Sequence, residues 1–286
     1  RAGPPVTAPR AGPPVTAPRA GPPVTAPHAV AVVIPARDEE DAIEACLLSV
    51  RESLRHLPPT VETVLTVVLD RCVDDTPALV DALTADWPGA ASLRVLGAGE
   101  RRVAGLGDGS GPAHIVGGSG VGALRDLGVR DALDRLRHLP PGAVWLLHTD
   151  ADTTVPPNWA TAHVELAAAG AAGVAGTVEL TEGLSSWAAR RHEQLVVAGT
   201  DGDAHHHVYG ANLGVRADAH LAVGGFPVDG AGEDHGLWQA LGAAGYPLRR
   251  PSGLRVRTSS RTCGRASGGL ADLLRDLHAA GRAGGL

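Results

Sequence analysis

The stretch Ala29-Val30-Ala31-Val32-Val33-Ile34-Pro35-Ala36-Arg37-Asp38-Glu39-Glu40 (AVAVVIPARDEE) runs from apolar, β-branched side chains into an abrupt acidic end. A short run without polar alternation reads as a strand buried on both faces, as in parallel sheets. Ile43, Leu47, Val50 and Leu54 then recur at helical spacing and stop before Pro58-Pro59, which predicts an amphipathic helix. Val61 to Leu69 reads as a second buried strand, Thr76 to Asp86 as a second helix and Leu93 to Leu96 as a short third strand. A glycine-dense stretch, Gly97 to Gly122, leads into a helix carrying Val129, Leu133 and Leu136. Ala143 to Leu147 is a fourth strand, ending at His148-Thr149-Asp150. This alternation predicts an α/β fold, a mostly parallel, Rossmann-like sheet with helices on both faces. Ligands bind such sheets beyond the carboxyl ends of the strands.

Three of those ends carry acids: Arg37-Asp38-Glu39-Glu40, Asp70-Arg71-Cys72-Val73-Asp74-Asp75, and Asp150-Ala151-Asp152. Each alone is explained by helix capping or turn formation. Together they predict a bound cation, because like charges gathered at one edge are costly unless neutralised. Asp150 and Asp152, two apart in extended backbone, would point to one side and face one ion. Hard oxygen ligands suit Mg2+ or Mn2+. Further on, Gly232-Glu233-Asp234-His235 opens a helix marked by Leu237, Leu241 and Ala244. A carboxylate there is favoured by the helix dipole and is a candidate general base. Arg261 and Arg265 are candidates to clamp phosphate oxygens.

Composition excludes several chemistries. All 25 Lys+Arg residues are Arg, so Walker-type loops, Schiff bases and Ser–Lys dyads are ruled out. The net charge of −6 lacks the basic footprint of a nucleic-acid binder. Cys46, Cys72 and Cys263 form no CxxC pair, which fits a reducing compartment and a cytoplasmic protein. No apolar run reaches the roughly 18 residues of a membrane span, and no signal-peptide pattern opens the sequence. Residues 1–27 are three copies of RAGPPVTAP, expected to form an extended, disordered tail. One catalytic domain is expected over 28–286. His205-His206-His207 reads as a polar loop before a strand, since adjacent histidines lack ordered ligand spacing.

In order along the chain, PARDEE at Pro35, DRCVDDT at Asp70, ALRDLGVRDAL at Ala123, TDADT at Thr149, GANLGVRAD at Gly210, VGGF at Val223 and GEDHGLW at Gly232 resemble a family 2 glycosyltransferase of the GT-A fold. The resemblance implies transfer, with inversion, of a sugar from a UDP- or GDP-linked donor to an acceptor hydroxyl, with Mg2+ or Mn2+ on the diphosphate. It implies a nucleotide-binding half over about 28–152 and an acceptor half over about 153–286. Pro35, Ala36, Arg37, Glu39 and Asp70 would line the nucleoside pocket, with Arg125, Asp150 and Ala151 beside it. Asp152, with Asp150, would hold the metal, Asp234 would be the base, and Asn212 and Glu233 would shape the sugar and acceptor pocket. The sequence departs from the family pattern at Asp38, where Asn is usual, at Cys72, where Ser is usual, and at Gly236, where a further Asp is usual. A retaining glycosyltransferase, a nucleotidyltransferase on a similar sheet and an inactive nucleotide-sugar-binding protein are the competing readings. The acceptor is left open, and peripheral contact with a membrane is compatible with the sequence.

Overall fold

A computed structural model of the chain describes residues 26–96, 120–181, 199–202, 204–227 and 232–261, with scattered positions between 187 and 194 and between 274 and 279. The repeats of residues 1–25, most of the glycine-dense stretch, Cys263 and Arg265 lie outside the described residues.

The apolar run forms β1 (Ala29–Ala36), every residue of it buried. The helical spacing after it forms α1 (Ile43–Arg55). Then come β2 (Glu62–Asp70), α2 (Thr76–Thr84), β3 (Ala90–Leu96), α3 (Val121–Arg135) and β4 (Val144–His148). The second half is built from shorter pieces: β5 (Thr153–Thr154), α4 (Trp159–Ala168), β6 (Gly173–Ala175), β7 (Thr177–Leu180), β8 (Thr200–Asp201), β9 (Ala204–His205), β10 (Leu213–Arg216), α5 (Ala217–Ala222), α6 (Glu233–Ala243), β11 (Leu248–Arg249) and β12 (Arg255–Thr258). His205 is therefore a buried strand residue, with Nε2 3.1 Å from the Ala175 carbonyl oxygen, and not part of a polar loop.

Seven strands make the main sheet, in the order β11-β6-β10-β4-β1-β2-β3. β4, β1, β2 and β3 run parallel, while β10 is antiparallel to both its neighbours, β4 and β6. A smaller sheet, β5-β12-β7, stands beside it.

Alternation along β1 sends its side chains into two cores. Val30, Val32 and Ile34 pack with Ile43, Leu47, Val50, Trp145 and Trp159 on one face. Ala29, Ala31 and Val33 pack with Val129, Ala132 and Leu136 of α3 on the other. That second face explains a glycine inside a helix: a Cβ on Gly128 would lie 2.4 Å from Val33 Cγ1. The α/β architecture with a mostly parallel, helix-flanked sheet is therefore the one expected.

Candidate active site

The loops after β1 and β2 are sewn together by acids accepting backbone N–H groups. Asp38 Oδ1 accepts from Val73 at 2.8 Å, Asp74 Oδ2 from Glu40 at 3.1 Å, and Glu40 Oε2 from Asp75 at 3.0 Å. Glu39 N–H donates to Thr76 Oγ1 at 2.7 Å. Among the described residues, the only non-glycine positions with positive φ are Asp38 and Arg71, both at 50° and both in these loops. Asp is among the few side chains that tolerate that conformation. Strained backbone of this sort concentrates at functional sites. Much of the acidity of PARDEE and DRCVDDT thus serves loop geometry.

Arginines balance the remaining carboxylates. Asp70, buried at the end of β2, accepts two bonds from Arg71 at 2.8 and 2.9 Å, with Arg37 3.8 Å away. Arg125 of α3 is fully buried, donates to Asp150 Oδ1, and has Nε 3.6 Å from Glu233 Oε1. Arg261 donates from Nη1 to both oxygens of Glu39 at 2.8 Å, and its Nη2 lies 3.1 Å from Asp152 Oδ2.

Asp152 sits in a turn and not in extended backbone. The chain turns there, with Thr153 N–H donating to the Asp150 carbonyl at 3.0 Å, because it passes from β4 in the large sheet to β5 in the small one. The two side chains consequently have different arginine partners. Burial, with Asp150 adding to it, pushes the Asp152 carboxyl up to about 6, although Arg261 pulls the other way.

Asp234 stands in the first turn of α6, where its Oδ2 accepts from Gly210 N–H at 2.8 Å and its Oδ1 from His235 N–H at 2.7 Å. Glu233 beside it is raised by burial, with Arg125 opposing. Tyr209 is pushed up to about 12, by burial first and the Asp234 charge second. The positive-φ pair Gly224-Gly225 delivers Phe226 to the same region, where Phe226 N–H donates to Asp126 Oδ1 at 3.2 Å. The Phe226 ring meets His148 edge-on at 5.0 Å.

Asn212 is placed otherwise than as a pocket wall. It is fully buried; Oδ1 accepts from Trp159 Nε1 at 2.9 Å, and Nδ2 donates to the carbonyls of Thr177 at 2.9 Å and Leu254 at 3.0 Å. With both amide protons and the carbonyl oxygen in use, it braces β10 against α4 and the small sheet instead of offering a group to a ligand. His148 and His163 are also fully buried, and a lone histidine in an apolar segment carries no pattern that would mark it as such.

A group with metal-ligating potential also lies between the acidic ends of β1 and β2. Ligand atoms of Asp38, Cys72 and Asp74 fall within 4.8 Å of one another. The Cys72 thiol is raised, chiefly by burial, and Asp38 and Asp74 already accept backbone bonds. A protonated thiol is a poor ligand for a hard ion, which leaves the two carboxylates as its oxygen donors.

No helix among the described residues is long and apolar enough to cross a membrane. No known family profile and no curated protein matches the sequence. Solved structures do match. A mannosyltransferase from Pyrobaculum calidifontis, in complex with GDP-Man and Mn2+, is 21% identical over 82% of this chain and 58% of its own, with a TM-score of 0.53. Residues 1–349 of TarS from S. aureus are 14% identical over 82% of this chain and 61% of theirs, also at 0.53. The complex of that protein with UDP-GlcNAc matches over 84% and 60%, again at 0.53. The chain thus spans about 60% of the length of the structures it matches. At these identities the likeness is one of fold, which this chain shares with these structures.

Proposed function

We propose that the chain is an inverting, metal-dependent glycosyltransferase of family 2, moving a sugar from a UDP- or GDP-linked donor to an acceptor hydroxyl. One observation carries the reading: Arg125 ties Asp150, beyond the carboxyl end of β4, to Glu233, the neighbour of Asp234 on α6. Motifs some 80 residues apart in sequence are thereby held as one unit. A mannosyltransferase of similar fold was solved with GDP-Man and Mn2+, which supports the donor class and the cation.

In this reading Pro35, Ala36, Arg37, Glu39 and Asp70 line the nucleoside pocket, and Asp150 and Ala151 border the diphosphate. Arg125 acts from beneath, fixing Asp150. Asp152 offers an oxygen to the divalent ion, a hard donor suited to Mg2+ or Mn2+. When bound, the ion offsets charge developing on the leaving nucleoside diphosphate. Asp234 removes the acceptor hydroxyl proton; Gly210 and His235 N–H groups fix both its oxygens in advance. Glu233 borders the acceptor pocket, and Arg261 and Arg265 are the cations available to the diphosphate. Nucleotide-binding and acceptor halves meet between residues 152 and 153.

The test is a set of UDP- and GDP-sugars incubated with the protein, with and without Mn2+, followed by thermal unfolding and by NMR of the product anomer. Metal-dependent stabilisation by at least one donor, and a product of inverted configuration, are expected. No shift with any donor would sink the proposal, and a retained configuration would move it to the retaining class.

A further inference from the structure

Arg261 occupies an unusual position for a phosphate clamp. Its guanidinium spends its hydrogen bonds on two acids, Glu39 from the β1 loop and Asp152 from the β4 turn. The Glu39 and Asp152 side chains are 8% and 10% exposed, whereas Arg261 is 31% exposed. It is the most exposed member of the three. Asp150, the third acid of the group, has Arg125. Glu39 and Asp152 therefore share Arg261 as their balancing charge. A divalent ion directly on an Asp152 oxygen sits about 2.0–2.6 Å from it. The guanidinium nitrogen is already 3.1 Å from Asp152 Oδ2, so an ion on that oxygen would be pressed against a like charge.

Resting on the metal-dependent reading above, we infer that Arg261 is the resting occupant of the cation site, that it and the divalent ion exclude one another at Asp152, and that it passes to the diphosphate when the ion arrives with the donor. The surroundings suit such an exchange. Thr258 Oγ1 lies 3.4 Å from Asp152 Oδ1 and Thr153 Oγ1 donates to Thr258, so β12 stays anchored three residues before Arg261. Only the side chain beyond that anchor has to move. A diphosphate brings the negative charge that Arg261 forfeits on leaving Glu39 and Asp152.

The experiment is Mn2+ titration of the full chain, followed by electron paramagnetic resonance of the free ion, without nucleotide and then with UDP or GDP. Wild type should bind Mn2+ weakly alone. Arg261→Ala should bind it about tenfold tighter or more, equivalent to about 1.4 kcal/mol. Arg261→Lys should stay near wild type, and adding Asp152→Asn to Arg261→Ala should abolish the gain. Arg261→Gln is the second neutral variant should the alanine form fail to fold by thermal melting. Unchanged or weaker Mn2+ binding in the folded neutral variants overturns the inference, and so does a gain that survives Asp152→Asn. Either result, with Mn2+-dependent donor binding intact, leaves the proposed function standing. Absence of Mn2+ binding in every variant, even with nucleotide, overturns both.

Discussion

Gly210 donates its backbone N–H to Oδ2 of Asp234 across 2.8 Å, joining the turn before β10 to the first turn of α6. The carboxylate is held from the backbone through both oxygens, so exchange to an amide removes its basicity and keeps one of the two N–H bonds. Asp234→Asn should lower turnover by about 10²–10⁴-fold with donor affinity unchanged. Steady-state kinetics beside donor titration would check this, and full turnover in a folded variant would remove Asp234 from the role.

Gly210 is also tightly confined, because a Cβ there would approach Arg125 Nη2 to 2.6 Å. Gly210→Ala should displace the guanidinium from Asp150. Loss of turnover is expected together with a lower melting temperature, read by calorimetry. A variant with wild-type turnover would show that the Arg125–Asp150 contact is dispensable.

Arg125→Met should destabilise the fold by about 3 kcal/mol, since it leaves Asp150 and Glu233 without their balancing charge. Arg125→Met combined with Glu233→Gln should recover part of that loss in urea unfolding. No recovery would mean that packing, and not charge, sets the role of Arg125.

Asn212→Leu should cost about 3 kcal/mol, chiefly by stranding Trp159 Nε1 in the core. If Asn212 instead touched the sugar, KM would rise while urea midpoints stayed put. Measuring both quantities on one preparation separates bracing from contact.

Burial holds His163 down to about 4, against an ordinary value of 6.5. The unfolded chain therefore binds the proton that the folded chain refuses, and this contribution to stability is present above pH 6.5 and lost as pH falls toward 4. Asp152, raised to about 6, acts in the opposite sense, so the His163 part must be read as a difference. The stability gap between wild type and His163→Gln should shift against wild type by up to about 1.4 kcal/mol per pH unit below 6.5. Urea midpoints at pH 7.5, 6 and 5 measure it. A gap independent of pH would show that folding leaves the proton affinity of His163 unchanged.

The first half of the fold was legible because its strands are long and buried on both faces. Ala29–Ala36 marks its own two ends, and Pro58-Pro59 terminates the helix beyond. The second half uses strands such as Thr153–Thr154 and Leu248–Arg249, too short for any periodicity to declare itself. At the site, the motif positions could be named from sequence, but their pairings could not. That Arg261 meets Glu39, 222 residues away, depends on β12 lying against β5 and β7, which no local pattern records. Asn212, given a pocket role by the family resemblance, finds its partners on α4, on β7 and just before β12, which no local pattern records either.

The antiparallel strand β10 has a consequence for synthesis of the chain. β4 has β1 on one side, and the other side is filled only by Leu213–Arg216. Until that segment is made, β4 has no partner on that side, and an unpaired strand border can pair with any passing strand. Nascent chains stalled before residue 213 should therefore be the ones that chaperones hold and that aggregate when chaperones are scarce.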